Sequence, residues 1–253
     1  MNTRRPPFDD IRVRKALRLL FNREQYISKL MYNAYTNMDS IYAGTMWENP
    51  DNEKIHYDPK QALTLLADAG YKSRDSQGRL VKDGKPLSIE LLYGTKDRDQ
   101  YLTIFQEDLR KVGITLNLRL VTFETQIKLL DERQFDMAFI GYTGTLFPNP
   151  EAHILSALAD QKNSNNITGY KNKRVDELIA AYDTAYDIPT RVKIIHEIDK
   201  LFTDSHSWIF EWTAPYSRAI FWNRYGMPKG TFTRIGDLSD ICLLYTSPSP
   251  RDV

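Results

Sequence analysis

The stretch from Leu87 to Tyr142 does most to limit what this chain can fold into. LSIELLY (87–93) is a short apolar run, which reads as a strand. From Asp99 to Val112, Leu102, Phe105, Leu109 and Val112 share one helical face, and Gly113 can close the helix. ITLNLRLV (114–121) alternates apolar and polar residues with a period of two, the mark of a half-buried strand. Glu124 to Glu132 is predicted as a short helix through Ile127 and Leu130, and Phe135 to Tyr142 (FDMAFIGY) as a third strand. A β-α-β-α-β order predicts an α/β sheet with right-handed crossovers. Ligands of such sheets collect beyond the carboxyl ends of the strands. The loop leaving the third strand is therefore expected to border a site, with Tyr142, Thr143, Thr145, Phe147 and Asn149 as candidate residues.

The flanking segments read as helices. Apolar residues recur near a 3.6 period from Asp9 to Tyr35, where Asp9 or Asp10 can cap the start and Asn22-Arg23-Glu24 can begin a second helix. The basic residues Arg4, Arg5, Arg12, Arg14, Lys15 and Arg18 are read as a solvated helix face. Asp58-Pro59 opens a helix that stops at Gly70. Ser73 to Lys85 is a loop or hairpin; Arg174 to Tyr186 and Pro189 to Thr203 are amphipathic helices. Ser207 to Tyr225 is dense in aromatics and reads as strands broken at Pro215.

Several functions are disfavoured. Lys plus Arg is 34 and Asp plus Glu is 33, which gives no electrostatic case for nucleic acid. No apolar run is long enough to span a bilayer, and MNTRRPPFDD has no signal-peptide h-region. None of His56, His153, His196 and His206 has a partner at metal-pair spacing, so each reads as a surface or structural histidine. Gly141 to Thr145 has neither the Ser of a nucleophile elbow nor the Lys of a phosphate loop. No cofactor is expected. Glu211, inside WIFEWTA, is either a buried functional carboxyl or the outward residue of an alternating strand, and both readings stand. A second group of aromatics and short polar residues comprises Asn165, Asn166, Tyr170 and Trp212. These types can wall and orient a ligand; they are also common core aromatics and turn formers.

The last twelve residues, CLLYTSPSPRDV, break abruptly from the preceding composition. They resemble the translation of a sequencing adapter, so residues 242–253 are expected to be a non-native tail. Cys242, the only cysteine, lies there, which leaves no thiol chemistry or disulfide for the rest.

Taken in order, several segments resemble the oligopeptide/dipeptide-binding family of extracytoplasmic solute-binding proteins, which feed ABC importers. They are MNTRRPPFDDIRVRKALRLLFNRE, YDPKQALTLLADAGY, LSIELLYGTKD, FDMAFIGYTG and NNITGYKNKRVDELI. The resemblance implies a periplasmic-binding-protein-like (type II) α/β lobe with a mixed sheet and flanking helices. Residues 1–206 would be the second lobe of a two-lobe protein and 207–241 a return segment toward a first lobe upstream of Met1. It further implies an extracytoplasmic, monomeric protein that binds without catalysing. It would capture a peptide or peptide-like ligand and pass it to ABC permease subunits. Peptide binders of the family often carry a Trp after the third strand, followed by an Asp that pairs with the peptide's ammonium group. Here Tyr142 takes the aromatic place and no carboxylate follows until Glu151. Glu151 or Glu211 then replaces the Asp, or the ligand lacks that group. The alternatives are another solute (glycan, nickel chelate or opine) and a hydrolase using Glu211.

Overall fold

The computed structural model describes residues 1–142 and 147–216. The helix boundaries follow local caps. Asp10 accepts a hydrogen bond from the Arg12 N–H to start α1 (Ile11–Leu19), and Asn22 does the same for α2 (Arg23–Lys29) through Gln25. The two-residue β1 (Thr36–Asn37) follows. Asp58 caps α3 (Pro59–Asp68), whose first residue is the expected proline, and Gly70 closes it with φ +104°. The segment expected as a loop or hairpin folds as a small antiparallel sheet of β2 (Ser73–Arg74), β3 (Leu80–Lys82) and β4 (Lys85–Pro86).

The predicted alternating unit comes next. It runs β5 (Ser88–Tyr93), α4 (Asp99–Lys111), β6 (Thr115–Leu120), α5 (Phe123–Asp131) and β7 (Met137–Ala138). Among the described residues the three strands are parallel, in the order β6-β5-β7. β5 is central, which explains its near-continuous apolar run: Ile89, Leu91, Leu92 and Tyr93 are all buried. Each such side chain contributes roughly 1.5–3 kcal/mol.

The third strand is shorter than the predicted Phe135 to Tyr142. Pairing ends after the Phe139 N–H bonds to Leu92 O at 2.8 Å, because the Phe139 carbonyl instead accepts from Gln126 Nε2 at 2.6 Å. The chain is thereby released from the ladder just before Tyr142. Gly94 is needed for this arrangement, since a Cβ there would sit 2.4 Å from Gln126 Oε1.

The remaining elements are α6 (Glu151–Ile154), α7 (Lys173–Thr184), α8 (Ile188–Asp204) and β8 (Trp212–Thr213). Of the strands expected between Ser207 and Tyr225, β8 pairs antiparallel with β1, and residues beyond 216 lie outside the described part. One core gathers α1, α3, α4 and the face of β5 bearing Ile89 and Leu91. A second gathers α7, α8 and Trp47.

The basic face on α1 is not uniformly solvated. Arg12 and Lys15 do make surface pairs with Asp10 and Glu53. Arg14 and Arg18, four residues apart, are buried. Arg14 Nε donates to Ser205 O at 2.9 Å, and Arg18 Nη1 to Thr203 O at 3.0 Å. They cap the carboxyl end of α8, where cations are favoured and carbonyls lack partners. Arg4 is also spent internally, donating to Ile167 O at 2.9 Å and to the carbonyls of Asn166 and Ala159.

Gly169 sits against that arginine with φ +82°, and a Cβ there would lie 2.6 Å from Arg4 Cζ. Gly169→Ala is expected to cost about 2–4 kcal/mol, from backbone strain plus lost hydrogen bonds of Arg4. The urea midpoint measures it; an unchanged midpoint would show that the Arg4 contacts do not hold this turn.

Candidate functional site

A cavity of about 420 Å³ opens beside the carboxyl end of β7. That volume falls in the range of small-molecule sites. Its floor is Met137 to Gly141 as the chain leaves the sheet. One wall is Tyr142, stacked on Trp208 with ring centroids 4.8 Å apart and met edge-on by His153 at 5.1 Å. Trp212 forms another wall, stacked on Tyr26 at 5.5 Å and on Phe21 at 6.1 Å. β8 holds Trp212 in place through its pairing with β1. Trp47 closes a third side, with Phe147 packed against it at 6.0 Å.

Few polar side chains interrupt this apolar lining: Asn149, Thr168 and His153 among them, and the charged Arg98 and Glu211. The Glu211 side chain is half-buried, and its burial pushes the carboxyl up to about 7 while Arg98 pulls it the other way. Burial lowers the His153 pKa, which keeps its ring neutral at pH 7. Its Nδ1 is buried without a partner among the described residues.

The candidates from sequence divide. Tyr142, Asn149, Glu211 and Trp212 converge on the cavity. Phe147 is exposed and stands behind Trp47. Thr143 and Thr145 lie outside the described residues. Asn165 is exposed and does not line the cavity. Asn166 has a structural task in place of a ligand-facing one. Fully buried, its Nδ2 donates to Leu155 O and Tyr170 O, and its Oδ1 accepts from the N–H groups of Gly169 and Tyr170. Tyr170 is buried too, edge-on to Phe202 at 5.1 Å, and belongs to the second core.

Of the two carboxylates considered as a counter-charge, Glu151 is exposed on α6 and is not among the cavity-lining residues, and Glu211 lines it. Sequence reasoning missed Trp208, Arg98 and Trp47, and read His153 as a surface or structural histidine. Trp208 carried a signal, since it shares the parity of Trp212 in one aromatic run. Arg98 carried none.

Among the described residues lining the cavity, Glu211 is the single carboxylate. Hydrolysis of a glycoside by the common route needs two. The site can stack, orient and neutralise a solute. Among the described residues no group of three His, Cys, Asp or Glu side chains is placed to hold a metal ion, and no helix is long and apolar enough to cross a membrane.

Residues 1–165 match the family described as bacterial extracellular solute-binding proteins, family 5 middle. The chain belongs to this family. It is 28% identical to the oligopeptide-binding protein AppA of Bacillus subtilis over 185 residues, covering 70% of this chain and 34% of that one. It is 25% identical to a binding protein of Brucella melitensis, covering 91% of this chain and 43% of that one. The solved structure of AppA in complex with a nonapeptide superposes with a TM-score of 0.76 at 26% identity, covering 83% of this chain and 43% of AppA. NikZ from Campylobacter jejuni in complex with Ni(L-His) shares the fold, with a TM-score of 0.75 at 22% identity, over 84% of this chain and 43% of NikZ. The fold is thus that of type II periplasmic binding proteins. The chain spans less than half the length of these relatives.

Proposed function

We propose that this chain carries one side of the ligand site of an ABC importer's substrate-binding protein, capturing peptides or peptide-like solutes outside the cytoplasm and delivering them to the membrane permease. The observation that carries this reading is the cavity itself. Two aromatic walls, Tyr142–Trp208 and Trp212 with its ring neighbours, line it beside a strand end, with few polar side chains among them. Such walls supply contact area and the polar groups supply orientation. Residues 1–206 would form the second lobe and 207–241 the return toward the first, with closure of the lobes expelling water around the solute. The B. subtilis relative, solved with a nonapeptide, supports a peptide as the ligand.

Tyr142 is 41% exposed and contributes little to the core. In the full-length protein, Tyr142→Ala is expected to weaken binding of random-sequence short peptides about tenfold by calorimetry, without unfolding the protein. Unchanged affinity would remove the loop from the site. Peptide recovered intact after prolonged incubation is the expected sign of capture, and cleavage products absent with Glu211→Gln would establish a hydrolase instead.

A further inference from the structure

We infer, resting on the reading of the cavity as the solute site, that Gln126 is a positioning residue for it. Its carboxamide takes the place of the next rung between β5 and β7, and so fixes where the chain turns out of the sheet into the aromatic wall.

The register shows what is displaced. Leu91 pairs with Met137 and Leu92 with Ala138 in parallel, and the Phe139 N–H donates to Leu92 O at 2.8 Å. Continued by one rung, this ladder would have the Gly94 N–H donate to Phe139 O and the Gly141 N–H to Gly94 O. Among the described residues neither bond forms. Phe139 O accepts from Gln126 Nε2 at 2.6 Å instead, and Gln126 Oε1 lies where a Cβ on Gly94 would collide with it. A carboxamide offers the same N–H and C=O groups as a peptide unit, so it can fill a rung that the backbone leaves empty.

Gln126 is buried in α5, whose first turn is capped by Thr122 and whose Phe123 Cα would lie 3.4 Å from a Cβ on Gly94. It does not itself line the cavity; it acts through Phe139 to Tyr142, which do. Side chains alternate across a strand. A ladder carried through Tyr142 would put that ring on the face of Ala138, which packs with the apolar residues of α5. With the rung replaced, Tyr142 turns to stack on Trp208 of the second core, and the Arg98 guanidinium lies over the Phe139 ring at 4.7 Å. Gly94 is outside the left-handed region, so an alanine there strains no backbone and acts by displacing the carboxamide.

The test uses the full-length protein in four forms: unsubstituted, Gly94→Ala, Gln126→Ala and the double variant. Hydrogen-exchange protection is read at the amides of residues 94 and 141 without ligand, and a mixture of random-sequence di-, tri- and tetrapeptides with free ends is titrated calorimetrically. Either single substitution empties the rung. Protection of both amides should then rise about tenfold or more as the ladder closes one rung further. Peptide affinity should fall about tenfold, the worth of one aromatic contact. The double variant should lose no more than the larger single loss, because both substitutions remove the same contact. The calorimetric stoichiometry gives the folded fraction, so lost protein is not read as lost affinity. Unchanged protection, unchanged affinity in both single variants, or losses that add in the double variant would each overturn the positioning role and leave solute capture standing. Failure of the unsubstituted protein to bind peptide would overturn the peptide reading of the cavity, and the exchange results alone would then decide whether Gln126 replaces the rung.

Discussion

Asp199→Ala is expected to lower the stability of the protein by about 3–5 kcal/mol, in the range seen when a buried charged group is cut from its network. Asp199 is fully buried in α8. Its Oδ1 accepts from Ser40 Oγ at 2.8 Å, and its Oδ2 from the Asn49 N–H at 2.9 Å and Asn52 Nδ2 at 2.7 Å. Burial raises the carboxyl's pKa, and these three donors oppose that rise. With Ala, the donors lose their acceptor at once, and each orphaned group costs about 1–3 kcal/mol. The effect reaches the site. Trp47, Met38 and Tyr42 all line the cavity from the segment that Asp199 ties down. Urea unfolding should show the lowered midpoint, and ligand affinity should fall with it. A loss under about 1 kcal/mol would mean that water replaces the carboxylate without penalty.

Glu211→Gln is expected to stabilise the ligand-free protein above pH 7 and to flatten part of its pH dependence. The carboxyl rises from its ordinary 4.5 to about 7 in the folded state. Between those values the folded protein binds more protons than the unfolded chain, so stability falls as pH rises through the window. The cost is complete above about 7 and amounts to as much as about 3 kcal/mol, less whatever solvent screens from a half-buried group. Gln has nothing to ionise. The difference between variant and original should therefore be near zero around pH 4.5, grow toward 7 and then level off. His206 acts in the other direction. Burial and the neighbouring Arg18 push its ring from 6.5 to about 3, so stability rises with pH between those values. This contribution is common to both proteins and cancels in the difference. A pH-independent difference between the two proteins would contradict the burial of Glu211.

What could be read from sequence was local. Asp10, Asn22 and Asp58 cap the helices they precede, because a cap needs only the next turn. The β-α-β-α-β run was legible because each period is written within a dozen residues. What could not be read depended on distant partners. Arg14 and Arg18 look like a solvated face until α8, nearly two hundred residues on, presents its carbonyls to them. The early end of β7 depends on a side chain from α5, Gln126, taking a backbone carbonyl. Asn166 has the type of a ligand contact, yet its local turn consumes it. Glu211 was ambiguous because strand alternation assigns it to a face without saying what that face meets. Arg98 shows the same limit. Nothing in GTKDRDQ distinguishes it from its charged neighbours, and only the fold lays it over Phe139.

The most direct test of solute capture by this cavity is hydrogen exchange of the full-length protein with and without the free-ended short-peptide mixture. Exchange is expected to slow where the chain leaves β7, at Met137 to Tyr142, and along Trp208 to Thr213, and to stay unchanged in α3. Peptide binding that slows exchange elsewhere and leaves both of these segments untouched would contradict it.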